Sequence, residues 1–130
     1  MSTDDDNPAP MVSALAAVTD RIHAVARQVR ATAPELEVAD LCTLGTTLDE
    51  LTSTLAHITT ECAAHTGRYP QGRILRDDTD THDPTARCAE AADDLHQVSQ
   101  HLRAAHEEAR KFHAAIGHVG VEGNLPRRSE

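Results

Sequence analysis

Thiol and imidazole side chains near the middle of the chain have the types that bind zinc. Cys62 and His65 are three residues apart, so on a helix they lie on adjoining positions, and Cys88 begins the next helical segment. In an antiparallel helix pair Cys62 and Cys88 are expected to share a layer. His82 and Cys88 do not have a standard zinc spacing, and the alternative is two small buried thiols beside a polar histidine. The sequence therefore assigns no cofactor and no metal, with zinc at Cys62, His65, His82 and Cys88 kept as the alternative.

Two acidic-x-x-His pairs imitate the ligand motif of di-iron helical bundles. Asp20 precedes His23 by three residues, and Asp93 precedes His96 by the same spacing. The apolar repeat of each segment places the aspartates on the outer face and both histidines one residue outside the apolar stripe. We therefore expect solvated surface residues here and no metal centre.

The segment around Arg76 and His82 resembles the Arg…His motif of the helical HEPN ribonucleases. The resemblance implies that these two residues would hold a phosphate and move a proton. The neighbouring aspartates would repel a phosphate backbone, so a ribonuclease is the third hypothesis for function. Asp78, Asp80 and His82 also imitate a calcium loop, but the glycine at position six and the closing glutamate of such loops are missing.

The elements that must position these groups are three apolar stripes, spaced alternately by three and four residues. This period keeps a stripe on one face of an α-helix, facing a partner helix. The stripes are Met11, Leu15, Val18, Ile22, Val25 and Val29; Leu41, Leu44, Leu48, Leu51, Leu55, Ile58 and Cys62; and Cys88, Ala91, Leu95, Val98, Leu102, Ala105, Ala109, Phe112, Ile116 and Val119.

Proline, glycine and aspartate mark the helix ends. Pro10 can begin the first helix, Pro34 interrupts the chain before the second, Gly67 is expected to end the second, and Asp83 with Pro84 begins the third. We predict an all-α, antiparallel three-helix bundle with long coiled-coil-like helices. Its parts are a disordered acidic tail at 1–9, a bundle at 10–119 with helices at about 10–33, 35–66 and 84–118 and a loop at 67–83, and a flexible tail at 120–130.

Matching the stripes layer by layer predicts how the helices align. The first helix is expected to fold back on the second, with Val29 opposite Leu41. Cys88 is expected opposite Cys62, and Ala109 opposite Leu41, so that the stripe of the third helix extends past the turn at Pro34. The two ends of the bundle and one helix edge are therefore the predicted interaction sites. Their residues are His101, His106, His113, Ile116, Val119, Arg68, Tyr69, Arg73, Ile74, Leu75 and Arg76.

Composition narrows the class of partner. The chain has 130 residues, which is one domain on the usual size prior, and a formal net charge of −9 that disfavours nucleic acid and anionic membranes. Its three cysteines lack a disulfide-framework spacing, and neither a signal peptide nor a membrane-spanning run is visible, so we expect a cytoplasmic protein. With one tyrosine, one phenylalanine and no tryptophan, the core must be thin, which favours self-association.

The segment from Phe112 to Gly120, after a helix rich in Ala, Arg and His, resembles uncharacterised small all-helical proteins of Streptomyces-type actinobacteria. The resemblance covers about the last third of the chain and implies an actinobacterial source, but no activity. The sequence as a whole predicts a non-enzymatic, acidic and histidine-rich helical interaction, adaptor or assembly protein, with a homo-oligomer as the expected partner. A metal- or redox-responsive bundle is the alternative.

Overall fold

The computed structural model describes residues 9–79 and 83–123, and it confirms the all-α prediction. Three helices, α1 (Pro10–Ala31), α2 (Val38–Arg68) and α3 (Pro84–Ile116), account for all the regular structure of these residues. Each bound lies within three residues of its predicted position. The chain divides into two compact units between Glu35 and Leu36, so α1 is described apart from α2 and α3. The predicted acidic tail, apart from Ala9, and the end of the C-terminal tail lie outside the described residues.

Helix α1 is a regular helix of 22 residues that begins at Pro10, as predicted. A proline is tolerated there because its missing N–H has no partner within the first turn of a helix. No residue of α1 is buried. Five members of its apolar stripe, Met11, Val18, Ile22, Val25 and Val29, are 44–56% exposed. The predicted pairing of this stripe with α2 stays a prediction.

Helices α2 and α3 form an antiparallel hairpin whose contact face is built from small residues. The buried positions are Gly45, Ala56 and Ala63 on α2 and Ala92, Ser99 and Ala109 on α3. Side chains this small let two helix backbones approach closely. The leucine stripe of α2 lies beside this face, and its members are half-buried or exposed. The contact face of α2 is therefore displaced by about one residue position from its leucine stripe.

The alignment of the hairpin differs from the predicted one by about two helical turns. Gly67 lies beside Ala92, since a Cβ on Gly67 would be 3.7 Å from that of Ala92. Ser99 lies beside both Ala56 and Thr60, so Cys62 and Cys88 are separated by about seven residues along the hairpin, or ~10 Å at ~1.5 Å per residue. The prediction that these two cysteines share a layer is wrong, because a heptad stripe remains in phase when it slides by whole repeats.

A second difference concerns the end of α2. Gly67 was expected to end this helix, but α2 continues to Arg68. The glycine with a left-handed backbone is Gly72, at φ 73° in the loop that follows. The start of α3 agrees with the prediction: Asp83 is its N-cap, accepts a hydrogen bond from the Thr85 N–H at 3.2 Å, and precedes Pro84.

The stripe of α3 was expected to extend past the turn at Pro34, and this extension is also not observed. Because His113 lies beside Thr46 at 3.2 Å, Ile116 at the end of α3 is level with the first turn of α2. Val119 follows the helix and is 50% exposed. Helix α3 thus ends before it passes the start of α2 at Val38.

Candidate interaction surfaces

A ladder of polar contacts connects α3 to α2 along the small-residue face. Ser99 donates a hydrogen bond to the Ala56 carbonyl at 3.1 Å, and its hydroxyl lies 2.6 Å from that of Thr60. One heptad later, His106 Nδ1 lies 2.7 Å from a carboxylate oxygen of Asp49. Bonds of this kind satisfy polar groups that the close approach removes from water, and they specify one alignment of the two helices.

The histidines predicted as an interaction edge of α3 fall into two groups. His106 and His113 contact α2: His106 pairs with Asp49, and the His113 Nε2 atom lies 3.2 Å from the Thr46 hydroxyl. His101 is exposed on the outer surface of α3. Two of the three predicted edge histidines therefore contribute to the hairpin itself.

The apolar residues left out of the contact face gather on one side of the hairpin. Arg103 of α3 donates to the Thr60 hydroxyl of α2 at 3.3 Å, so the polar flanks of the two helices share a side. The stripe residues that precede the contact face on each helix must then share the opposite side. We call this the apolar side of the hairpin. Its exposed large residues are Leu44 and Leu48 on α2, and Val98 and Phe112 on α3.

The first half of the loop between α2 and α3 is a compact turn around Tyr69. The Arg73 guanidinium lies 4.2 Å from the centre of the Tyr69 ring and also donates to the Tyr69 carbonyl at 2.8 Å. The His65 ring meets Tyr69 edge-on, with 6.2 Å between ring centres. Three of the residues singled out from the sequence are thus bound to one another. Ile74 beyond them is fully exposed.

Asp77 anchors the second half of this loop to α3. Its carboxylate accepts hydrogen bonds from the Thr79 hydroxyl and backbone N–H, and it forms an ion pair with Arg87 at 2.9 Å. The Thr79 hydroxyl and then the Arg87 guanidinium lower the pKa of Asp77 from its ordinary 3.8 to about 2. This anchor is part of the wall of an open depression of ≈ 500 Å³, which Tyr69, Leu75, Arg76 and Cys88 also line.

The described residues that were proposed for chemistry are not gathered into a metal site. Among residues 9–79 and 83–123, no group of three or more His, Cys, Asp and Glu side chains is placed to hold a metal ion. Cys42, Cys62 and Cys88 are free, half-buried thiols. Arg76 is exposed and pairs with Asp78 at 3.7 Å. His82 lies outside the described residues, so the zinc and ribonuclease alternatives stay predictions.

Of the remaining predicted interaction residues, Arg68 is exposed at the last position of α2, and Ile116 is half-buried at the last position of α3.

The small-residue contact face is the feature that sequence reasoning missed. A signal for it was present: Ala92, Ser99, His106 and His113 are spaced by seven residues, one position to the side of the apolar stripe. Small or polar residues at such spacing are compatible with a close helix contact.

None of the helices described is both long enough and apolar enough to cross a membrane. No protein family matches the chain, and neither a curated protein nor a solved structure is significantly similar to it.

Proposed function

We propose that this chain is a non-enzymatic helical interaction protein that assembles with itself through exposed apolar helix faces. One observation carries the proposal. The residues buried between α2 and α3 are glycine, alanine and serine, whereas large aliphatic side chains remain exposed on α1 and, separately, on the apolar side of the hairpin. Exposed apolar surface of this kind is typical of interaction sites.

The argument rests on the free energy that such surface loses in water. Each large aliphatic side chain that moves from water into an interface contributes about 1.5–3 kcal/mol when it is fully buried. An isolated helix of the length of α1 gains little stability from propensity alone and depends on packing of its apolar face. Covering these faces by association therefore stabilises the helices that carry them.

Sedimentation equilibrium of the full chain from low to high micromolar concentration tests the proposal. We expect a mass that rises to a defined oligomer, and a melting temperature that falls on dilution, because association stabilises the folded state by mass action. A monomer at high micromolar concentration whose stability does not change on dilution would contradict it.

The proposed absence of catalysis and the proposed cytoplasmic location need separate tests. The alternatives with distinct predictions are zinc binding near Cys62 and His65, and ribonuclease activity that depends on Arg76. Elemental analysis of untagged protein tests the first, and turnover of RNA by the wild-type chain and by Arg76→Ala tests the second.

A further inference from the structure

The apolar stripe of α1 is exposed along the helix: five of its six members are 44–56% exposed. Its members repeat strictly at three and four residues over 10–31, and none of them is buried. In heptad terms Leu15, Ile22 and Val29 occupy a positions, and Met11, Val18 and Val25 occupy d positions. Apart from Pro10 and Val12, the remaining positions of α1 carry alanine or polar residues. A seam confined to a and d is the narrow type that fits one other helix with the same repeat.

We propose that α1 pairs with α1 of a second copy of this chain in a parallel, two-stranded coiled coil. This inference rests on the proposed function and names the surface and the geometry of the self-association. It assigns the stripe of α1 to a second copy instead of to α2 of the same chain. A second copy supplies the same repeat over the same length, so every a and d residue meets its counterpart. Ile22 and Val29 are the β-branched residues that a two-stranded coil prefers at a positions, whereas its d positions carry Met11, Val18 and Val25 in place of the leucine that such a coil prefers there.

The charges of α1 select the direction of the pair. Three arginines against one aspartate give the helix a net charge of +2, but Arg27 and Arg30 lie away from the seam. Arg21 is at a g position beside it. In a parallel pair Arg21 faces Ala26 of the other copy, an uncharged neighbour. In an antiparallel pair with full overlap of the stripes, the two Arg21 side chains meet across the seam, which is unfavourable.

The area available fits a weak, transient dimer. A helix of 22 residues is about 33 Å long and about 10 Å wide with its side chains. Its footprint is therefore roughly 330 Å² per copy, or about 660 Å² for the two copies together. This area is below the roughly 1,000 Å² of a stable specific interface and is typical of a weak one. We accordingly expect a dimer that dissociates at micromolar concentration.

Two substitutions of the same chemistry on opposite faces of α1 test the pairing. Ile22→Asp places a carboxylate in the seam, and Ala24→Asp places one on the outer face. Measured by sedimentation equilibrium on the full chain, Ile22→Asp should raise the dimer Kd at least about tenfold, and Ala24→Asp should change it less than about twofold. Circular dichroism of each variant checks that helix content is retained.

A third variant separates this inference from the proposed function. Leu48→Asp alters the apolar side of the hairpin and should leave the dimer Kd within about twofold of wild type. Loss of association in Leu48→Asp but not in Ile22→Asp would overturn the α1 pairing and leave self-association standing. A wild-type chain that remains monomeric would contradict both.

Disulfide formation tests the direction. In a background of Cys42→Ala, Cys62→Ala and Cys88→Ala, Val25→Cys alone should form a disulfide-linked dimer, because position 25 meets itself only in the parallel arrangement. An antiparallel pair places position 25 opposite position 15. Cross-linking only in a mixture of the Val25→Cys and Leu15→Cys chains would therefore overturn the parallel geometry.

Discussion

The Asp77 carboxylate illustrates how one residue can order a loop. It accepts hydrogen bonds from Thr79 and forms an ion pair with Arg87, and its side chain is only 8% exposed. Because these partners stabilise the ionised form, they lower its pKa to about 2. A carboxylate with a depressed pKa contributes stability above its unfolded-state value, and that contribution is lost as the pH falls through the folded-state value.

We therefore predict that the contribution of Asp77 to the stability of the folded chain disappears as the pH falls from about 4 to about 2. Asp77→Asn should lower the melting temperature at pH 7, because the ion pair with Arg87 is lost. The difference between wild type and Asp77→Asn should shrink as the pH falls from 4 to 2, since the wild-type carboxyl then becomes neutral as well. Calorimetric melting of both proteins across this range measures it, and a difference that is independent of pH would contradict the assignment.

At the scale of elements, α2 and α3 depend on how closely their backbones approach. Gly45 is buried, and a Cβ built on it would lie 3.0 Å from the Cβ and 3.1 Å from the Cα of His113. The Cα belongs to the α3 backbone and cannot rotate away. At the other end of the hairpin, a Cβ on Gly67 would meet that of Ala92 at 3.7 Å, an ordinary contact distance.

This contrast predicts opposite effects for the same substitution. Gly45→Ala should destabilise the chain by about 1–2 kcal/mol, because overpacking outweighs the gain in helix propensity. Gly67→Ala, the matched control, should be neutral or stabilising by up to about 1 kcal/mol. Urea unfolding of both variants measures the free energies. Equal effects at the two sites would contradict the close approach at Gly45.

At the scale of the whole molecule, net charge opposes the association that the apolar faces favour. The chain carries a formal net charge of −9 at pH 7, so copies repel one another at low ionic strength. The proposed interface is apolar and contains no ion pair between copies. Salt therefore acts on the repulsion, which it screens within a Debye length of about 10 Å at 0.1 M.

We predict that self-association strengthens as sodium chloride rises from about 0.03 M to about 0.3 M at pH 7.5, with a Kd several-fold lower at the higher concentration. Sedimentation equilibrium at the two concentrations measures the change, with sodium sulfate at matched ionic strength as the control for ion type. A Kd that increases with salt would instead indicate an interface held by ion pairs.

The sequence by itself determined the three helices and most of their ends. The signals for them are local: the three-four repeat, Pro10 at the start of α1, and Asp83 with Pro84 at the start of α3. Local signals predict a helix from neighbouring residues alone, whichever other helix it packs against. Gly67 misled because glycine is compatible with a helix interior as well as with its end, and only the backbone angles distinguish the two.

The tertiary structure decided which faces meet and at what alignment. A heptad repeat stays in phase after any shift by whole repeats, so the stripes alone could not fix the partner of Cys62 or of Cys88. The contacts of Ser99, His106 and His113 with α2, together with the close approach at Gly45, select one alignment. That selection keeps the small residues inside the hairpin and leaves large apolar residues exposed, because close backbone packing and satisfied polar groups require small side chains between the helices.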